Sequence, residues 1–282
     1  MVKILVLSVN TAPSPNLEIF KRSCKRYGYD YEILGLGEVW KGWQWRTQVY
    51  IDAIKDHYDI DIFILCDSDD LYFTGPCSEF FEKFLAFHSD VGIGTEDACG
   101  TGDDPAEIKK ERVKTLKSIH ISKKISSIYY GLNGGCIFGY RGSLLEILKI
   151  NLREKDDQVG YTKLFINDTP LIAPDYYQRI VGNCAQRLPL RESGVDEWKI
   201  KNDRVYNIKT GTYPVIMHYP GKNFYFYKLF LHPSDKSIRL STTSENYNIL
   251  RKCGYFLTKY FWIYILIIIS IIFLVTWRRY KK

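Results

Sequence analysis

Three carboxylates stand within four residues at Asp67-Ser68-Asp69-Asp70, directly after the apolar run 60–66. Carboxylates this close repel one another unless a cation holds them. Oxygen ligands of this kind suit Mg²⁺ or Mn²⁺. A divalent ion there can bridge a diphosphate and neutralise its charge as it leaves. An acidic turn with no ligand is the alternative, and the motif alone does not separate the two. A second polar group, Met217-His218-Tyr219-Pro220-Gly221-Lys222, follows another short apolar stretch. His218 offers an imidazole ligand and Lys222 a cation for a diphosphate. Gly221 lets the backbone approach phosphate closely. Two further stretches suit a sugar. Leu132-Asn133-Gly134-Gly135 sets a carboxamide beside two small residues, and Asp156-Asp157-Gln158 offers groups that bind hydroxyls or act as a base.

These positions lie far apart in the chain, so a scaffold must gather them. Residues 3–8 read as a continuous apolar strand of a buried parallel sheet. They are too short for the apolar part of a signal peptide, and no cleavage site follows. Ser14-Pro15 forms a helix start, with Leu17, Phe20, Cys24 and Tyr27 at helical spacing before Gly28. Residues 31–34, 60–66 and 91–95 read as strands. Residues 46–57 read as a helix with Val49, Ala53, Ile54 and His57 on one face, and Ser78 is expected to cap a helix running to Phe87. This β-α-β-α-β-α-β order implies an α/β fold with a mixed, mostly parallel sheet, flanking helices and right-handed crossovers. In such a sheet the ligand crevice lies beyond the carboxyl ends of the strands, where Asp67 stands. Residues 97–128 are charged and contain Gly100, Gly102 and Pro105; they read as a loop with a surface helix, a lid or an insertion. Strand returns at 135–140, Ser143 is expected to cap a helix, 156–165 is helical, and 204–207 and 214–218 are late strands. The aromatic stretch 223–232 reads either as lying on a membrane surface or as packing on the domain, the latter being favoured.

The net charge is +7, and location explains it. Residues 251–282 hold seven basic residues and no acid, so residues 1–250 are neutral. That balance argues against a nucleic-acid partner. Residues 260–277 carry no charge, are edged by Tyr260, Trp262, Tyr264 and Trp277, and are followed by Arg278 and Arg279. This pattern reads as a transmembrane helix. The expected organisation is a catalytic domain over 1–232, a linker over 233–254, and a membrane helix with a basic tail over 255–282. The simplest topology is a single-pass tail anchor with a cytoplasmic domain. The seven scattered cysteines form no C-x-x-C pair, which fits a reducing compartment.

The order of the motifs carries a resemblance. Leu34-Gly35-Leu36-Gly37-Glu38-Val39-Trp40-Lys41-Gly42 resembles the LGLGEEWRGG stretch in the glycosyltransferase domain of the procollagen lysyl hydroxylases. Asp67–Asp70 is similar to that family's DSYD, 132–135 to its LNSGG, 156–165 to its DDQLFYTRLY, and 218–222 to its VHGNGPTK segment. The resemblance spans about residues 3–225 and does not include the family's dioxygenase. It implies a GT-A fold, Mn²⁺ (or Mg²⁺), a UDP-hexose donor carrying glucose or galactose, and a hydroxyl acceptor on a protein or glycan, such as a collagen-like hydroxylysine glycan. By that resemblance Asp67, Asp70 and His218 are the metal ligands. Asn133, Asp156 and Asp157 are the catalytic groups. Ser8, Asn10, Thr11, Arg46, Asp69, Gly134, Gln158, Gly221 and Lys222 bind the donor. Asp69 stands where the family has a tyrosine near the uracil, Arg46 stands near a donor-binding lysine, and Thr95-Glu96-Asp97-Ala98-Cys99 replaces a tryptophan-containing loop. A non-catalytic sugar-nucleotide- or glycan-binding membrane protein is the competing reading.

Overall fold

The computed structural model describes residues 2–97, 105–167, 172–184 and 197–220. The chain order is β1 (Ile4–Val9), α1 (Pro15–Arg26), β2 (Asp30–Leu34), α2 (Trp43–Asp56), β3 (Ile62–Cys66), β4 (Leu71–Phe73), α3 (Cys77–Leu85) and β5 (Val91–Glu96). There follow α4 (Ala106–Ser122), β6 (Gly131–Tyr140), α5 (Arg141–Asn151), α6 (Asp157–Ile166), β7 (Ile172–Pro174), β8 (Val181–Asn183), β9 (Trp198–Lys201), β10 (Arg204–Asn207) and β11 (Ile216–His218).

The main sheet runs β2-β1-β3-β6-β5-β7. β1 pairs in parallel with β2 and β3, β7 pairs in parallel with β5, and only β6 is reversed. The mostly parallel α/β sheet is as expected. Its strands are apolar on both faces because both faces are covered. Leu5 and Leu7 of β1 and Phe63 and Leu65 of β3 join one core cluster with Tyr50, Ile51 and Ile54 of α2 and Leu144, Ile147 and Leu148 of α5. The alternate residues Val6, Ile62, Ile64 and Cys66 join a second cluster with Leu17 and Phe20 of α1 and Phe80 and Phe84 of α3. Each such side chain, fully buried, contributes roughly 1.5–3 kcal/mol. The helix start at Ser14-Pro15 is as read: the Ser14 hydroxyl accepts from the Leu17 amide.

Two features aim this scaffold at the site. A three-stranded sheet, β4-β11-β8, sets β11 antiparallel to β4 and parallel to β8. Its register puts His218 opposite Leu71 and Asn183. The second feature is an irregularity in the β5–β6 pairing. Ile93 faces Ile137 but Gly94 faces Asn133, so Gly134, Gly135 and Cys136 have no partner on β5. Such bulges re-aim side chains, here at the strand ends.

Several local expectations need correcting. α2 starts at Trp43, and its buried face is Arg46, Thr47, Tyr50, Ile51 and Ile54; apolar spacing alone passes over a buried arginine. Neither Ser78 nor Ser143 caps its helix: Pro76 and Tyr140 hold the N-cap positions. The Ser143 hydroxyl instead donates to Asp90 at 2.8 Å. The surface helix expected within 97–128 is present as α4, anchored by buried Arg112, Leu116 and His120, whose ring lies 5.0 Å from that of Tyr176. Among the described residues no helix is long and apolar enough to cross a membrane. The aromatic stretch, the linker and the span expected at 223–282 lie outside the described residues.

One ion-pair group ties α3 to β10. Glu79 accepts from both Arg204 Nη atoms at 2.8 and 3.1 Å and lies 2.7 Å from Lys83 Nζ. Burial pushes the Glu79 carboxyl up, but Lys83 and Arg204 outweigh it and hold the group below its ordinary value. A depressed carboxyl stabilises the fold above the unfolded-state pKa and loses that contribution as pH falls through the folded value. Glu79→Gln is therefore expected to cost about 1 kcal/mol at pH 7 and far less near pH 3, as read by urea unfolding at both pH values.

Candidate active site

Asp67 follows β3 directly, and its amide donates to Gly135 O at 3.0 Å, which fixes it at the strand end. Asp70 precedes β4, and the Tyr219 amide donates to Asp70 O at 2.7 Å. The β4–β11 pairing thereby brings His218 against the acidic turn. One ligand atom each from Asp67, Asp70 and His218 lies within 4.8 Å of the others. His218 Nε2 is 3.3 Å from Asp70 Oδ1 and 3.8 Å from Asp67 Oδ2. On the other side of the ring, Nδ1 lies 2.7 Å from Asn183 Oδ1. Asn183 Nδ2 donates to Thr95 O, which orients that amide with its oxygen towards the ring. Nδ1 therefore carries hydrogen, and in the neutral ring Nε2 turns its lone pair on the carboxylates.

Asp70 Oδ1 and His218 Nε2 are buried without a hydrogen-bond partner. Buried polar atoms are seldom left so. A divalent cation fits this set of two carboxylates and one imidazole. With no cation, protons answer the repulsion. Burial lowers the His218 pKa, but Asp70 and Asp67 outweigh it and the net shift is upward. Burial pushes Asp67 up to about 6, against the pull of Arg46 and with the push of Asp70. Gly135 must be glycine here: a Cβ would come within 2.1 Å of the His218 ring.

The sugar-side residues form a second polar group beside the first. Asn133 Nδ2 donates to Glu96 at 3.2 Å, and Asn133 Oδ1 accepts from the Gly135 amide at 3.0 Å. Gln158 Oε1 accepts from the Gly134 amide at 2.8 Å, and its Nε2 reaches Glu96 at 3.4 Å. Burial pushes the Glu96 carboxyl up to about 7, despite the Asn133 bond. Sequence reasoning did not single out Glu96. Its signal was available, since it ends β5 at the same sheet edge as Asp67. Asp156 and Asp157 separate: Asp156 is the N-cap of α6 and accepts from the Val159 amide, whereas Asp157 is buried. Asp157 Oδ2 accepts from Arg46 Nη2.

The nucleotide-edge residues are also gathered. Asn10 Nδ2 reaches Ser68 Oγ and Asp69 Oδ1 at 3.1 and 3.2 Å, and Ser14 Oγ donates to Asp69 Oδ1 at 2.8 Å. Asp69 is thus held by the β1–α1 loop and is not one of the three clustered ligands. Ser8 is fully buried at the end of β1, and Thr11 O accepts from the Gly37 amide. Trp40, with 43% of its surface exposed, packs edge-on against Trp43 and Trp45 beside this loop. Gly221 and Lys222 lie outside the described residues.

Residues 1–232 match the PLOD GT domain family. The chain belongs to that family. This PLOD GT domain is accordingly a glycosyltransferase domain, the class its motifs led one to expect. Procollagen-lysine,2-oxoglutarate 5-dioxygenase 1 of Gallus gallus is 27% identical over 236 residues, which cover 76% of this chain and 30% of the relative. The multifunctional procollagen lysine hydroxylase and glycosyltransferase LH3 of Homo sapiens is 26% identical over 237 residues, covering 77% of this chain and 29% of the relative. The chain therefore spans less than a third of the length of these two curated relatives. Among solved structures, a glycosyltransferase involved in the glycosylation of the major capsid of PBCV-1 aligns with a TM-score of 0.44 at 12% identity, over 78% of this chain and 93% of that one.

The close approach at Gly135 gives a test of the cluster. Gly135→Ala would drive the His218 ring away and is expected to weaken Mn²⁺ binding by about tenfold or more. Electron paramagnetic resonance of free Mn²⁺ reads this, with circular dichroism checking the fold. An unchanged affinity would show that these side chains do not hold the ion.

Proposed function

We propose that this PLOD GT domain transfers a hexose from a UDP-sugar to a hydroxyl group. The observation that carries the reading is the buried Asp70 Oδ1 and His218 Nε2, 3.3 Å apart and hydrogen-bonded to no other group, beside a second polar group made by Glu96, Asn133 and Gln158. Asp67, Asp70 and His218 would hold Mn²⁺, which when bound offsets the charge of the departing diphosphate. Lys222 and Gly221, outside the described residues, are assigned to the diphosphate by the resemblance alone. Stabilising charge that develops on the leaving group is the largest expected part of the rate enhancement.

The remaining roles are proposed as follows. Asn10, Thr11 and Asp69 are assigned to the nucleotide edge; Ser8, expected there from the sequence, is fully buried and is not. Asn133, Gln158 and Glu96 fix one another, so each meets sugar hydroxyls in a set orientation. Asp157 is the carboxylate nearest to a catalytic role; Asp156 secures the helix start that presents it. The fold is read as GT-A, with the catalytic domain over 1–232. Glucose or galactose is the proposed sugar. The acceptor is a protein or glycan hydroxyl; the relatives' names concern procollagen lysine, which makes a collagen-like hydroxylysine glycan one candidate. Residues 255–282 are proposed as a single-pass anchor behind a linker over 233–254, with the domain on the cytoplasmic side.

A binding module without turnover is the second reading. It is favoured by Asp69, which occupies the place of the family's tyrosine and is tied back to Ser14 and Asn10. The full chain in detergent, given a panel of UDP-sugars and Mn²⁺, distinguishes the two. UDP release from one hexose donor is expected, lost with EDTA and reduced about a hundredfold or more by Asp67→Asn. Release that survives both treatments would refute the metal role. UDP binding without release from any donor would favour the binding module.

A further inference from the structure

The resemblance places Arg46 near a donor-binding lysine, but the geometry gives it other work. Arg46 is buried, with 6% of its surface exposed. Nη1 donates to Asp67 Oδ1 at 2.5 Å, and Nη2 donates to Asp157 Oδ2. Its guanidinium carbon lies 4.4 Å from the centre of the Trp43 ring, and Nε has no hydrogen-bond partner. Both terminal nitrogens of the fork are therefore committed to carboxylates, one at the end of β3 and one at the start of α6. The other oxygen of Asp67, Oδ2, is the one that faces His218.

We infer that Arg46 is a positioning residue that couples the cation cluster to the sugar side, and not a ligand of the donor. A planar guanidinium fixes the angle between its two bonds. Holding Asp157 Oδ2 with one arm keeps the other arm on Asp67 Oδ1 alone. That leaves Asp67 Oδ2 for the cation. Without its bond to Asp157, the freed fork would turn onto Asp67, engage both its oxygens and compete with the metal. A residue that does not touch the cation, Asp157, thus governs how well the cation is held. A lysine at 46 would keep the charge, but its donors share one nitrogen and rotate, so it would not fix the two carboxylates at the angle a planar guanidinium sets.

This inference rests on the proposed metal role of Asp67, and binding measurements separate the two. The full chain is titrated with Mn²⁺ by electron paramagnetic resonance, and with UDP in saturating Mn²⁺ by calorimetry. The variants are Asp157→Asn, Arg46→Lys and the double variant. Asp157→Asn is expected to weaken Mn²⁺ binding by about threefold or more, although residue 157 is no metal ligand. Adding Arg46→Lys to it is expected to restore part of the lost affinity, because the competing fork is gone. Arg46→Lys alone is expected to leave UDP affinity within about threefold and to lower kcat more than it raises KM. An Mn²⁺ affinity untouched by Asp157→Asn, additive losses in the double variant, or UDP affinity about tenfold weaker in Arg46→Lys would each overturn the inference. If Arg46→Lys does not fold, the near-isosteric Asp157→Asn decides alone. A wild-type chain that binds no Mn²⁺ would refute the metal reading and the coupling with it. A wild-type chain that binds Mn²⁺ but turns over no donor would refute transfer and leave the coupling to the binding data.

Discussion

Four acidic side chains, Asp67, Asp70, Glu96 and Asp157, gather around Arg46 and His218 at the strand ends. Charges of one sign in poor contact with water repel strongly, and this repulsion is the constraint that the rest of the site answers. Arg46 meets it permanently for Asp67 and Asp157. His218 meets it for Asp70, whose Oδ1 lies 3.3 Å from Nε2 and draws the imidazole pKa upward against burial. Glu96 is left with amide donors from Asn133 and Gln158 and moves towards neutrality. The same side chains that strain the metal-free protein are the ones suited to a divalent ion and to a polyhydroxylated ligand.

The scaffold makes that convergence possible by holding each group on a different rigid element. β3 supplies Asp67, β5 supplies Glu96, the start of α6 supplies Asp157, and β11 supplies His218. The irregular step between β5 and β6 lifts Gly134 and Gly135 into the crevice, where their amides are taken by Gln158 and Asn133. The absence of a side chain at Gly135 lets the His218 ring lie against the backbone. Packing on both faces of the sheet holds these elements in register, so the site inherits its geometry from two apolar cores.

Much of this was legible in the amino-acid sequence, for reasons that also explain what was not. β1, β3 and α1 announce themselves because burial on both faces demands continuous apolar runs, and because Ser14-Pro15 is a local helix start. The acidic turn and His218 were legible because their residue types are costly unless they bind something. β4, β8 and β11 carry three residues each, too few to show a period, and exist through pairing with distant partners. Arg46 lies on a helix where arginine is ordinary, and only tertiary structure turns it inward. Asp156 and Asp157 are indistinguishable until the helix start is placed; one then caps and the other faces the site. Glu96 stood in plain view after a strand, but a single acid at a strand end carries no spacing to mark it.

The place of β11 has a consequence in time. It is the last strand of the described fold and fills the middle of a sheet whose outer strands, β4 and β8, are made before it. During synthesis the carboxylates of β3 and its turn emerge well ahead of the imidazole that completes their cluster. Until residue 218 leaves the ribosome, β4 and β8 have no common partner and the acidic turn has no nitrogen ligand. Assembly of the candidate cluster thereby waits for β11, and a chain cut before residue 218 would hold the two acids without the imidazole.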